Sequence, residues 1–274
     1  MDILIVGQGH MGKILEEGLP SSTLCQKRIQ EMTRLDVQNF DVVVNTAAKT
    51  DLPWCEEHPR EAFEQNVEAA VKIGRLAAIE GIPLIHFSSG CIWKGPYNVY
   101  GRPFRTTSLP DPACFYSWTK VAAEAILMRE KPSGLHILRP RQVYSDSPSP
   151  RNTLFKLKTY KKLLDTPNSM TSADTIKKCI LRIIKDKETL NEIKIWNLYD
   201  IGITSPYQVG MLLHEAGLRE KPEILEKKDL DTWHKPQRVD AVMEDTFMEN
   251  FVEPPVVQDE LKRVIASFAV KLNT

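Results

Sequence analysis

Ile3-Leu4-Ile5-Val6-Gly7-Gln8-Gly9-His10-Met11-Gly12 is the stretch that decides the fold of this chain. Four successive apolar residues without alternation fit a strand buried on both faces, as in a parallel sheet. A G-x-G-x-x-G spacing follows at once and opens a helical pattern that ends near Gly18. Glycines at this spacing mean little alone, but between a strand and a helix they acquire a mechanism. Gly7 permits a tight turn, Gly9 lets the backbone approach a pyrophosphate, and Gly12 lets helix and strand pack closely. The helix start offers free N–H groups to an anion, with His10 and Met11 on the same loop. Dinucleotide binding is therefore expected.

Similar apolar runs recur at 41–45, 83–89, 135–139 and 193–199, and a shorter one at 22–25. Helical patterns lie between them. One starts at Pro59 and runs to Glu80 with Gly81 as its stop; another runs from about Tyr116 to Arg129, with Pro132 beyond. A third begins near Ser172, and 259–272 reads as a final amphipathic helix. Strands alternating with helices imply βαβ units, hence an α/β protein with a doubly wound parallel sheet. Residues 1–140, rejoined by 172–203, form the expected dinucleotide-binding domain. Segments 141–171 and 204–274 form the expected smaller substrate lobe, closing over the carboxyl ends of the strands. Strand–helix alternation is not expected within 140–171 and 204–250, which are rich in Pro, Lys and polar residues.

Composition narrows the function classes. Acidic and basic residues balance at 36 each, so no net field draws the chain to nucleic acid or a membrane surface. The doublets Lys161-Lys162, Lys177-Lys178 and Lys227-Lys228 read as solvated faces. Five cysteines, scattered and without a Cys-x-x-Cys pair, suggest reduced thiols and a cytoplasmic protein. No apolar stretch reaches membrane-spanning length, and the strand pattern starts at Ile3, where a signal peptide would lie. No histidine pair has zinc-ligand spacing, so no metal is expected.

The chemistry centres on F-Y-S-W-T-K, where Tyr116 and Lys120 stand one helical turn apart on one face. An ammonium about 4 Å from a phenolate, at an effective dielectric near 20, attracts it by roughly 4 kcal/mol. That equals about three pKa units and would bring a tyrosine toward neutrality. Such a tyrosine can exchange a proton with a carbonyl oxygen while hydride moves at the adjacent carbon. Ser88-Ser89 ends the strand at 83–89, and Lys27 and Arg28 follow the strand at 22–25. A basic pair there suits a ribose 2′-phosphate and points to NADPH over NADH.

Together these pieces resemble the extended short-chain dehydrogenase/reductases, whose fold is of the Rossmann type. Asn45-Thr46-Ala47-Ala48 is similar to that family's Asn-x-Ala-Ala turn beside the cofactor, and Asn66 to its helix asparagine. The glycine loop departs from the commoner G-x-x-G-x-x-G, since position 6 is valine. The resemblance implies that Tyr116 donates the proton, that Lys120 lowers its pKa and holds the nicotinamide ribose, and that Ser89 binds the substrate carbonyl. N-T-A-A-K-T-D and S-S-G-C-I-W look like the dTDP-4-dehydrorhamnose reductase branch and the epimerase–reductases of UDP-rhamnose synthesis. These act on nucleotide-linked 4-keto-6-deoxy sugars. Gly90-Cys91 replaces the Asp-Glu of the related dehydratases, which disfavours dehydration.

By the same resemblance Cys91 moves protons at C3 and C5 of the sugar, with Lys156 as its cationic partner and acid. Ser89, Gly90, Cys91 and Trp93 are the expected substrate neighbours, with Arg141, Arg151, Asn152 and Met170 from the lobe. In that family the helices matching 59–80 and 116–130 form a dimer contact, so the resemblance implies a homodimer. Two other readings stay open: an NAD-dependent sugar-nucleotide 4-epimerase, and a non-catalytic NADP-binding regulatory subunit.

Overall fold

The computed structural model describes residues 1–130, 133–226 and 239–272. Pro132 and the Lys227-Lys228 doublet lie outside the described residues. The first half of the chain gives β1 (Ile3–Val6), α1 (His10–Gly18), β2 (Ser22–Leu24), β3 (Val42–Asn45), α2 (Leu52–Glu57), α3 (Pro59–Phe63), α4 (Ala69–Glu80), β4 (Leu84–Phe87) and α5 (Phe115–Glu130). There follow β5 (Leu135–Pro140), α6 (Thr153–Thr159), β6 (Lys162–Leu164), α7 (Ala173–Lys185), α8 (Lys187–Leu190), β7 (Ile193–Leu198), α9 (Pro206–Glu215) and β8 (Glu223–Leu225). Helices Thr246–Val252 and Val257–Leu272 close the chain.

Six parallel strands form one sheet in the order β2-β1-β3-β4-β5-β7. The chain steps from β1 outward to β2, then returns to the other side of β1 with β3. The crevice between the carboxyl ends of β1 and β3 is therefore the switch point at which such sheets bind ligands. Every residue of β1, β3, β4 and β5 is buried, because helices cover both faces. On one face α7 buries Ile176, Ile180, Ile183 and Ile184 against strand residues such as Ile5, Val44 and Leu138. Each such isoleucine contributes roughly 2–3 kcal/mol through burial. On the other face α4 and α5 bury Ile73, Ala77 and Leu127 against Val43, Leu84 and Ile137.

The expected helix over 59–80 is interrupted by a π-helical turn, Glu64–Glu68, before its left-handed stop at Gly81 (φ 67°). Residues 144–170 share a separate apolar core with α9 and the C-terminal helix, built from Leu154, Leu163, Val209, Leu261 and Phe268 among others. Here the structure corrects the sequence reading. Segments 153–164 and 206–225 each run helix then strand, and β6 and β8 pair in parallel. Their strands are three residues long, too short to show a period. Among the described residues no helix is long and apolar enough to cross a membrane.

Candidate active site

The glycine loop fills the crevice between β1 and β3. Gly7 has φ 113°, and a Cβ there would stand 2.6 Å from the Ala47 nitrogen. A Cβ on Gly12 would collide with the Gly7 carbonyl oxygen. Gly9 differs: a Cβ there would meet only Arg151 Nη1, at 3.8 Å. Gly9 also stands at the N-cap of α1, where no side chain caps the helix and no acid occupies the first turn. Close packing at Gly7 and Gly12 and an open, uncapped helix start at Gly9 fit a dinucleotide's diphosphate. Thr46 seals the floor through its nitrogen to Val6 O (2.8 Å), and Asn45 Oδ1 accepts from Ala47 N (3.0 Å), which shapes the 45–48 turn. Gln8 Nε2 donates to Gln26 O at 2.7 Å, so the residues after β2 lie at the mouth of the same crevice. Lys27 there pairs with Asp36 at 2.5 Å, whereas Arg28 is exposed and makes no ion pair among the described residues.

Ser89 follows β4, where its Oγ accepts from Cys91 N (3.1 Å) and caps a short 3-10 turn, Gly90–Ile92. Ser89 also lies close enough to the Tyr116 hydroxyl on α5 to favour its ionised form. Lys120, 2 % exposed, donates from Nζ to Phe87 O at 2.8 Å. Burial pushes the Tyr116 hydroxyl well above the usual phenol range, with the Cys91 thiol adding to the shift and Ser89 opposing it. Burial also pulls the Lys120 ammonium down to about 8, against the Glu124 carboxylate one turn further along the helix. The expected lowering of the Tyr116 pKa by Lys120 is thus corrected. The two share a helix face, but Nζ is held by a strand carbonyl and desolvation dominates both groups.

Other expected site residues are placed differently. The Asn66 amide is committed to both backbone polar atoms of Lys49 (2.7 and 3.0 Å) and to Thr119 Oγ1, so it braces the 45–49 segment instead of facing a cofactor. Trp93 is fully buried, stacked on Phe104 and beneath the Arg139 guanidinium. Asn152 caps α6 and holds the Ser145 and Ser147 carbonyls, and Met170 is buried in the lobe core. None of these three offers a free surface to a substrate. Lys156 is exposed on α6, and its charge, like that of Arg151, lowers the His10 pKa after burial has done so. The cation touching Cys91 is instead Arg141, with Nη1 donating to Sγ at 2.9 Å. Sequence reading also missed a buried Ser88–Glu124–Arg139 chain behind Lys120, in which Arg139 Nη2 meets Glu124 at 2.5 Å. A legible signal was Glu124, a carboxylate one turn after Lys120 on the buried face of α5.

The crevice, the parallel sheet and the cluster at the end of β4 define a dinucleotide-binding protein of the Rossmann type with a Ser, Tyr and Lys set. Residues 23–269 match the family described as the RmlD substrate binding domain, and the chain belongs to that family. It is 29% identical over 213 residues to the bifunctional dTDP-4-dehydrorhamnose 3,5-epimerase/dTDP-4-dehydrorhamnose reductase of Arabidopsis thaliana, covering 73% of this chain and 69% of that protein. A trifunctional UDP-glucose 4,6-dehydratase/UDP-4-keto-6-deoxy-D-glucose 3,5-epimerase/UDP-4-keto-L-rhamnose-reductase of the same plant is 29% identical, over 73% of this chain but 31% of its own length. Among solved structures, a UDP-rhamnose synthase from Acanthamoeba polyphaga mimivirus superposes with a TM-score of 0.84 at 17% identity, covering 97% of this chain and 99% of that one. The dTDP-4-dehydrorhamnose reductase of Bacillus anthracis, in complex with NADP, gives 0.79 at 17%, covering 97% and 98%. At such identities the structures establish a shared fold.

Proposed function

We propose that this chain uses NADPH to reduce the C4 keto group of a nucleotide-linked 4-keto-6-deoxy sugar of the dTDP- or UDP-rhamnose type, and that Cys91 moves protons at C3 and C5 in the same site. The observation that carries this reading is the convergence of Ser89, Tyr116, Lys120 and Cys91 at the end of β4, beside the glycine crevice. The relatives' names supply the sugar class. The 2′-phosphate is assigned to Arg28, and the diphosphate to the α1 N-terminus with Arg151 beside Gly9. The lobe of 141–171 and 204–274 is assigned to the sugar nucleotide.

The cofactor supplies the hydride. Tyr116, kept protonated by burial, gives its proton to the oxygen that becomes the C4 hydroxyl. Ser89, beside the Tyr116 hydroxyl, fixes that oxygen, and Lys120 supplies the positive charge that receives the tyrosinate. In epimerisation the 4-keto group acidifies C3–H and C5–H. The Cys91 sulfur takes the proton, and the electron pair of the broken C–H bond moves into an enolate whose oxygen Ser89 and Tyr116 hold. A proton delivered from solvent to the opposite face of that carbon re-forms the C–H bond and restores the ketone.

Incubation with dTDP-, UDP- and GDP-linked 4-keto-6-deoxy sugars plus NADPH, with products identified by NMR, tests the reading. Net NADPH oxidation with at least one of them is expected, and turnover of none sinks it. In D2O without cofactor, deuterium is expected at C3 and C5; its absence removes the epimerase half. Comparable KM values for NADPH and NADH would count against the Arg28 assignment. The outer face of α3 and α5 carries Phe63 and Phe115, both packed on Trp118, which is 45 % exposed. That face is assigned to a homodimer contact.

A further inference from the structure

Arg141 follows β5 and is 5 % exposed. Its guanidinium is held from three sides. Nε and Nη2 donate to Asn168 Oδ1 at 3.1 and 2.9 Å, and Nη2 also donates to the Val239 carbonyl. Both acceptors are neutral, and among the described residues no carboxylate pairs with Arg141. The remaining contact is Nη1 to Cys91 Sγ at 2.9 Å. Arginine has no acceptor atom, so the sulfur must accept, and a thiolate accepts far better than a thiol. A buried guanidinium that no carboxylate bonds directly, among the described residues, favours an anion at the one ionisable atom it touches.

The surroundings fix this geometry. Asn168 Oδ1 also accepts from Ala241 N, and its Nδ2 donates to Asp240 Oδ1 at 2.8 Å. The Arg141 backbone nitrogen donates to Thr171 Oγ1 at 2.9 Å. The next residue, Gln142, stands in the left-handed region at φ 42°, a cost of order 1 kcal/mol or more for a residue other than glycine. Ser117 Oγ holds the Cys91 carbonyl at 2.7 Å. Tyr116 and Cys114 are the other titratable groups that interact with the Cys91 thiol, and Asp240 stands behind Asn168.

We infer that Arg141 is the positioning residue that holds Cys91 as a thiolate aimed into the active site. The inference rests on the reading of Cys91 as the proton carrier at C3 and C5, but it is tested without a sugar. Iodoacetamide alkylation of the wild-type chain is followed across pH 5 to 10 by peptide mass spectrometry, with the half-exposed Cys25 as internal reference. Cys91 is expected to reach its plateau at lower pH than Cys25, and at pH 7 to react about tenfold faster relative to its plateau. In Arg141→Met this advantage is lost, and in Arg141→Lys it is partly restored. Cys91 and Cys25 following one pH profile in the wild type overturns the inference, even where Arg141→Met fails to fold. So does an unmoved Cys91 profile in a folded Arg141→Met. Missing deuterium exchange with this alkylation pattern intact would strike the epimerase reading and leave the Arg141 contact standing.

Discussion

Tyr116 and Lys120 answer to the same cause. Desolvation penalises charge, so it drives the phenol up and the ammonium down, each toward its neutral form. The sign suits reduction. An acid whose pKa is raised stays protonated, which is the state that the proposed proton transfer from Tyr116 to the C4 oxygen requires. Titration followed by tyrosinate absorbance, with Tyr116→Phe as reference, is expected to show no ionisation of Tyr116 below its ordinary value of 10.0 in the free protein. A signal centred near neutrality and lost in Tyr116→Phe would restore the lysine-tuned picture. The same variant is expected to lower kcat for reduction by about 10²–10⁴-fold while NADPH binding, read by fluorescence titration, changes little. Cys91 poses the parallel question for a thiol, answered by the alkylation profiles of Arg141→Met and Arg141→Lys.

At the scale of elements, two junctions hold the site together. Gly12 lets α1 lie against the turn after β1, and any side chain there meets the Gly7 carbonyl. Gly12→Val is expected to cost about 2 kcal/mol or more in stability and to abolish NADPH binding, read by thermal unfolding and by titration. Normal binding would mean that the loop is not the cofactor cradle. The second junction is Asp200, just after β7. Its carboxylate accepts from Tyr144 Oη (2.6 Å), Ser172 N (2.8 Å), Ser172 Oγ (3.2 Å) and Thr175 Oγ1 (2.5 Å), tying the sheet to the start of α7. Burial outweighs these bonds and pushes the group up to about 6. The folded state thus binds this proton more tightly than the unfolded chain does. The group's contribution to stability therefore falls as pH rises from about 4 to about 6, then stays constant. Relative to Asp200→Asn, wild-type unfolding free energy from urea melts is expected to drop by up to about 3 kcal/mol between pH 4 and 7. A difference that is flat across this window contradicts the assignment.

Over the whole molecule, the site lies where separately packed units meet. The sheet and its helices supply the crevice and the cluster at the end of β4, while residues 144–170 and the C-terminal helix have their own core. Arg141 and Asn168 join the two, because Asn168 also bridges to Thr204 and receives the Ala241 nitrogen. On the outer surface Trp118 is 45 % exposed and packs with Phe63 and Phe115. Trp118→Glu is expected to convert a dimer to a monomer in sedimentation velocity. A wild-type chain already monomeric at micromolar concentration removes that assignment.

The glycine loop, the buried strands and the Tyr116–Lys120 spacing were legible in the sequence because they are local. Period, turn chemistry and helical offset are properties of a few consecutive residues. The short strands β6 and β8 escaped it, since three residues carry no period. Protonation and partnership were decided only by packing. The Tyr116 hydroxyl keeps its proton because it is buried, and Asn66, Trp93, Asn152 and Met170 face inward because their cores close over them. The cation that meets Cys91 stands 50 residues away in the chain. Desolvation and through-space charge depend on what surrounds a group, and the order of residues along the chain does not encode that by itself.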